Sequence, residues 1–402
     1  MKKLKKNKKE QGKGVSIIVQ KFLKTYERHC GQSSSAVSSV LVRNLQKCIE
    51  NEEILTKLIL AGSETSADSL PPVTLKPLLM TIRDERYMYG KELYVWHVAL
   101  NNEDIANLAI ILELRGRTSY PFSKIELLDC GIDTWSIERL GKSLNFSVLT
   151  CIVLDYNEFL DEGLRGLCHG LKGNGQLLTL SMCYCNLGPT SGSFLGDLVA
   201  KTAIKDLLLD GNNLQCVGAC ELIKFIANYA ENEAKKKSDI EGETSKPVLE
   251  GADLQSVSSN ENTRLTDSVN MNNSVPGSKK KRKGKKKKEL PQIGPWLSKL
   301  HLADNGIDGR GNEGKIGAMT FAETLCQLIK FSDHLTELHL DGNSLGELCG
   351  KQILDALRER KEAKLQDLKI EVSTQMNADT FINIFQNAKK HKKAKRKKKK
   401  KK

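Results

Sequence analysis

The residues able to do chemistry in this chain are carboxylates, imidazoles and lysines, and their spacing sorts them into two kinds of site. Asp155, Asp206, Asp210, Asp304, Glu337, Asp341 and Glu371, with Glu126, Asp129 and Asp367 near them, flank or interrupt short runs of alternating apolar residues, as in the stretch DLLLD from Asp206 to Asp210. Alternation of that kind turns the polar residues of a strand to one face. They therefore predict an acidic ribbon, interrupted by Lys124, Lys299 and Lys369, that suits a basic protein partner. His97, His301 and His339 are read into one slot between inward-pointing residues. A metal or pH role requires them to be adjacent. Only 301 and 339 fall on neighbouring units and no carboxylate spacing completes a ligand set, so surface histidines and no metal are expected.

The second kind of site is basic. Lys279, Lys280, Lys281, Arg282 and Lys283 spell a short run similar to a nuclear import signal. The tail from Lys389 to Lys402, with Lys395, Arg396, Lys397 and Lys398 at its densest, is basic enough to hold a polyanion. No aromatic residues are interleaved, so base stacking is not implied, and binding should be non-specific and salt-sensitive. RNA or the acidic tails of tubulin would satisfy the same charge.

Other signatures fail on their chemistry. The run Gly309 to Lys315, GRGNEGK, meets the first seven positions of a phosphate-binding loop. The eighth should be Ser or Thr to hold magnesium, and here it is Ile316. Cys183 with Cys185, and Cys216 with Cys220, have the spacing of short metal pairs, but no second pair completes either. No nucleophile–base constellation emerges. The chain reads as a non-enzyme with no cofactor and no small-molecule substrate.

What must position the acids is a repeated unit. Leu335 to Leu345, LTELHLDGNSL, spells L-x-x-L-x-L-x-x-N-x-L. Leu297, Leu300, Leu302 and Asn305 repeat it, as do Ile204, Leu207, Leu209 and Asn212. So do Leu177, Leu180, Met182 and Cys185; Leu149, Ile152, Leu154 and Asn157; and Phe122, Ile125, Leu127 and Cys130. Weaker copies are read at Leu55, Leu58, Leu60 and Ser63; at Leu93, Trp96, Val98 and Asn101; and at Leu365, Leu368, Ile370 and Ser373. The turning positions 101, 130, 157, 185 and 212 lie 27 to 29 residues apart, enough for a helix between strands. Backing helices are expected near residues 78–87 and at 105–115, 135–144, 164–171, 193–201 and 216–231.

This pattern and spacing resemble the ribonuclease-inhibitor-like subfamily of leucine-rich repeat proteins. The resemblance covers roughly residues 52 to 388 and implies an α/β fold. That fold is a leucine-rich repeat solenoid, or horseshoe, with a concave parallel β-sheet and convex helices. Disordered Lys-rich arms complete the expected architecture. Concave solenoid faces commonly bind proteins. Some leucine-rich repeat proteins of the ciliary axoneme are similar and carry a lysine-rich linker between repeats, which gives an axonemal component as an alternative. The Ran GTPase-activating protein shares the repeat type, which adds GTPase activation as a third expectation. That family ends in an acidic stretch where this chain ends in lysine, and no catalytic residue carries over.

Composition bounds the rest. The formal net charge of +14 divides unevenly. Residues 1–9, 279–288 and 389–402 hold 27 Lys or Arg without an acid, which leaves 36 basic residues against 49 acidic ones elsewhere. An acidic body thus carries three basic runs. Eleven scattered cysteines argue against a disulfide framework, and no signal peptide or membrane span is read, so an intracellular protein is expected. The import-like run points to the nucleus or nucleolus and the repeat resemblance to the axoneme.

The expected organisation is a disordered basic arm at 1–14, a helical cap at 15–51, and repeats at 52–231. A disordered Lys/Ser-rich insertion at 232–291 follows, then further repeats and a cap at 292–388, and a basic tail at 389–402. The N-terminal cap should bury Ile18, Phe22, Val37, Leu41, Leu45 and Cys48, and the closing helix from Asp379 to Lys390 should bury Phe381, Ile382 and Phe385.

Overall fold

Alternation of aliphatic residues at period two, each stretch followed by a helical one, builds a parallel sheet with a helix in most crossovers. The computed structural model describes residues 2–62, 71–244, 293–310 and 314–387. It contains one parallel sheet of nine strands in strict sequence order. They are β1 (Lys57–Ala61), β2 (Glu92–Trp96), β3 (Lys124–Leu128), β4 (Cys151–Val153), β5 (Thr179–Ser181), β6 (Asp206–Leu208), β7 (Lys299–His301), β8 (Glu337–Leu340) and β9 (Lys369–Val372). Consecutive order with helices between strands is a repeat-like α/β architecture, compatible with a solenoid.

Two helices, α1 (Lys2–Gln32) and α2 (Ser39–Glu50), precede the sheet. The crossovers carry α3 (Lys76–Asp84), α4 (Asn102–Glu113), α5 (Thr134–Leu144), α6 (Leu160–Leu171), α7 (Ser191–Lys201), α8 (Gln215–Thr244), α9 (Gly314–Phe331) and α10 (Gly346–Glu362). The chain divides into two units, residues 1–234 with 291–402, and residues 235–290. The sheet lies wholly in the first. None of the helices is long and apolar enough to cross a membrane, among the described residues.

Helix starts follow local chemistry. Asn101 accepts from the Asp104 amide at 2.9 Å while Asp104 accepts from the Asn101 amide at 3.3 Å, a reciprocal cap for α4. Asp133 accepts from the Ser136 amide at 2.7 Å to start α5. The N-terminal helices bury Val19, Phe22, Tyr26, Leu41 and Leu45, whereas Ile18 and Val37, expected inside, are exposed. Helix α1 begins at Lys2, so the residues expected as a structureless arm form its first turns; lysine is a good helix former. Helix α8 likewise continues past 231 to Thr244.

Strand pairing corrects two of the weaker repeats. Leu58, Leu93, Ile125, Ile152, Leu180, Leu207, Leu300, Leu338 and Ile370 stand in one row across the sheet. In β2 the inward pair is therefore Leu93 and Val95, not Trp96 and Val98, and the turning position is the buried Val98, while Asn101 is the helix cap. In β9 the inward pair is Ile370 and Val372, two residues later than Leu368 and Ile370.

The turns between strand and helix are closed by buried asparagines. Asn157 Nδ2 donates to Leu127 O and Leu154 O, and its Oδ1 accepts from the amides of Cys130 and Ile132 in the preceding repeat. Asn212 and Asn343 do the same for their neighbours. Cys130 and Cys185 fill the slot with a thiol that donates to strand carbonyls. All eleven cysteines are free, and burial pushes the thiols of Cys130, Cys168, Cys183 and Cys326 up to about 12, so they are packing residues. The Cys216 and Cys220 sulfurs bond Asp308 O and Thr324.

At the far end Arg360 of α10 is buried and donates to the carbonyls of Ile329, Ser332, Leu335 and Gln366. Burial lowers its pKa to about 10, against the pull of Asp333 and Asp367. Residues 378–387 form a last helical stretch that buries Thr380 and Ile384. Ile382 and Phe385, expected to be buried there, are exposed, and Phe381 is half-buried.

Candidate functional site on the open face of the sheet

Most strands alternate buried and half-buried residues, so the sheet has one face in the core and one open to solvent; in β5 the open-face Ser181 is buried as well. Because the strands pair in register, every open-face position forms a row. One row reads Lys57, Glu92, Lys124, Cys151, Thr179, Asp206, Lys299, Glu337 and Lys369. Its charges largely alternate and pair: Lys57 with Glu92 at 3.1 Å, Lys299 with Asp206 at 3.8 Å, and Lys369 with Glu337 at 2.6 Å. Lys369 also holds Glu371 at 2.8 Å. The Lys369 ammonium keeps the carboxyls of Glu337 and Glu371 below the usual range. The expected acidic ribbon is therefore an ion-pair ladder over much of its length.

Two further acids are engaged with backbone. Asp155 Oδ1 accepts from Ser181 Oγ at 2.7 Å and from the Cys183 amide at 2.9 Å. Burial raises its pKa despite those bonds. Asp210 Oδ1 accepts from the Ala303 amide at 2.7 Å. Burial works against its charge, but His301, that amide and His339 outweigh it and hold the carboxyl below its ordinary range. Each of these aspartates pins the strand of the following repeat. Asp304 and Asp341 are exposed and make no ion pair among the described residues. Asp367 precedes β9 rather than lying on it.

The histidines divide. The corrected register takes His97 out of the shared slot and into the turn after β2, where its Nδ1 lies 2.9 Å from Asp129. His301 and His339 sit directly opposite each other on β7 and β8, rings edge to face with centroids 5.2 Å apart. Asp210, 91 positions before His301 in sequence, places Oδ2 3.6 Å from Nδ1 of each.

Aromatic residues that the leucine spacing does not mark also lie on this face. Tyr94 and Trp96 lie on β2, with Lys124 Nζ 4.8 Å from the Tyr94 ring centre and Trp96 Nε1 donating to Glu126 at 2.8 Å. Tyr156 and Tyr184 occupy the turn position that His97, Asp129, Gly211, Asp304 and Gly342 fill in other repeats, every one with positive φ. Glycine takes that conformation freely, whereas a side chain there costs about 1–2 kcal/mol. The two tyrosines stack at 4.7 Å and 8°, and both stay exposed, at 50% and 44%. Gly211 completes the platform: a Cβ there would collide with the Tyr184 ring.

Lys279–Lys283 and Lys395–Lys398 lie outside the described residues, as does part of the Gly309–Lys315 run. Comparison with family models and with curated proteins finds no match for this chain.

Proposed function

We propose that the chain is a non-enzymatic interaction scaffold, a leucine-rich repeat protein of the ribonuclease-inhibitor-like kind, whose open face docks a protein segment rich in arginine or lysine. The row of inward aliphatic residues and the buried asparagine turns support the repeat type. The observation that carries the docking reading is the Tyr156–Tyr184 pair. Two stacked rings are held at a backbone conformation that disfavours them and remain exposed, and, besides Tyr156, the carboxylate of Asp304, which makes no ion pair among the described residues, also acts on Tyr184. An aromatic face beside a carboxylate receives a guanidinium or ammonium well. Exposed tyrosines are also the residues that dominate protein interfaces.

The lysine runs add a second contact, to a polyanion. Their charge favours RNA or acidic tubulin tails, and the two differ in where the protein would reside, in the nucleus or in the axoneme.

Two experiments test this. Titration of the full chain with an arginine-rich peptide should lose about tenfold or more in affinity when Tyr156 and Tyr184 are both changed to alanine, as hot-spot aromatics do. Equal affinity would refute the aromatic site. A salt series on structured RNA and on microtubules, with and without the three lysine runs, reads the second contact. RNA binding that disappears with the runs favours the nuclear reading, and microtubule binding that survives near-physiological salt favours the axonemal one.

A further inference from the structure

We infer that Asp210, His301 and His339 form a binding site for a zinc-class divalent metal ion on the open face of the sheet. The donors come from three successive strands and the turns that follow them, and their ligating atoms lie within 4.8 Å of one another. Asp210 Oδ2 is 3.6 Å from His301 Nδ1 and 3.6 Å from His339 Nδ1. That separation is too long for a hydrogen bond. It is what one ion requires, since donors about 2.0–2.1 Å from a tetrahedral zinc sit about 3.4 Å apart.

The surroundings are those of a metal site. The other oxygen of Asp210 is fixed by the Ala303 amide at 2.7 Å, which leaves Oδ2 facing the imidazoles. Each imidazole turns its far nitrogen to a carboxylate. His339 Nε2 lies 3.3 Å from Glu371 Oε2, and His301 Nε2, buried without a hydrogen-bond partner among the described residues, lies 3.9 Å from Glu337 Oε1. At His339 a proton drawn on Nε2 toward Glu371 leaves the Nδ1 lone pair free for a metal, and such a carboxylate–histidine pair raises ligand basicity, whereas Glu337 is too far from His301 Nε2 to hold a proton there. Four carboxylates, Asp206, Asp210, Glu337 and Glu371, stand against the two ammoniums of Lys299 and Lys369, so the local charge favours a cation.

Two imidazoles and one carboxylate select zinc, cobalt or nickel over calcium or magnesium, which prefer oxygen alone. Three protein ligands leave a position open toward solvent, where water completes the set. Metal binding here requires no docked partner.

Cobalt(II) is the probe. Added to the full chain, it should give intense visible bands of a nitrogen- and oxygen-ligated ion without sulfur-to-cobalt charge transfer, and zinc should displace it. The bands should vanish in His301→Ala, His339→Ala and Asp210→Ala and persist in His97→Ala. Glu371→Gln, which touches no metal donor position, should weaken cobalt binding by roughly 10- to 100-fold. Metal-free unfolding curves that coincide with the parent's show that a variant has kept its fold; for a variant that has not, Glu371→Gln and the thermal shift of the parent with zinc carry the test. Absence of cobalt bands, bands dominated by thiolate charge transfer, or bands unchanged in His339→Ala would overturn the site.

Discussion

Replacing Asn212 with alanine isolates the device that joins one repeat to the next. Its Oδ1 accepts from the amides of Cys185 and Leu187, both at 3.0 Å, and its Nδ2 donates to Met182 O and Leu209 O, both at 2.8 Å. Alanine leaves the two buried amides without their acceptor, at about 1–3 kcal/mol each. The expected loss is therefore about 4 kcal/mol, close to three powers of ten in the protection of those amides from hydrogen exchange. Exchange is the right assay because a repeat array opens locally, so a global unfolding curve would dilute the effect. Asn212→Cys should fall between parent and alanine, since Cys185 shows that a thiol in this slot still donates to the strand carbonyls. Protection of Cys185 and Leu187 reduced by less than about tenfold in Asn212→Ala, or no better in cysteine than in alanine, would refute the ladder as the coupling element.

Arg360→Met should destabilise the C-terminal repeats by about 2–4 kcal/mol, because four carbonyls lose their donor while the relief of a buried charge offsets part of the cost; urea unfolding followed by far-UV circular dichroism reads it. Glu337 and Glu371 have depressed folded pKa values, so their contribution is present above the unfolded value of about 4.3 and is lost as pH falls through the folded ones. Lys369→Met should accordingly flatten the fall in thermal midpoint between about pH 5 and 3. Gly211→Ala should cost about 1 kcal/mol or more, since φ is +70° and the new methyl displaces Tyr184, and should reduce the near-UV signal of the tyrosine stack.

How much of this was legible in the sequence varies along the chain. The six copies with an Asn or Cys in the turning slot were placed in register because leucine spacing and turn chemistry agree there. Register failed in the run Leu93-Tyr94-Val95-Trp96-His97-Val98, where apolar residues fit two phases, and pairing with Leu58 selects the earlier one. It failed in β9 because Leu368, Ile370 and Val372 are all buried and only pairing with Leu338 and Leu340 decides which two are the strand's inward pair.

The acids of the open face were found, but their neutralisation was not. Lys369 reaches Glu337 across 32 positions of sequence, a contact that residue spacing alone does not disclose. Asp210 and His301 are further apart still, separated by the segment between α8 and β7. The alternation between inward leucines does not mark the tyrosine pair, which lies in the turn, where positive φ at a bulky residue is the signal.

In the proposed function a partner docks on the open face and not on the helical side. A photo-crosslinking amino acid placed at Tyr184 in the full chain, and separately at Trp135 on α5, which is 77% exposed, compares the two sides directly in cells. A discrete protein adduct that Asp304→Asn weakens is expected from position 184, and none from position 135. Adducts from 135 with none from 184 would contradict docking on the open face.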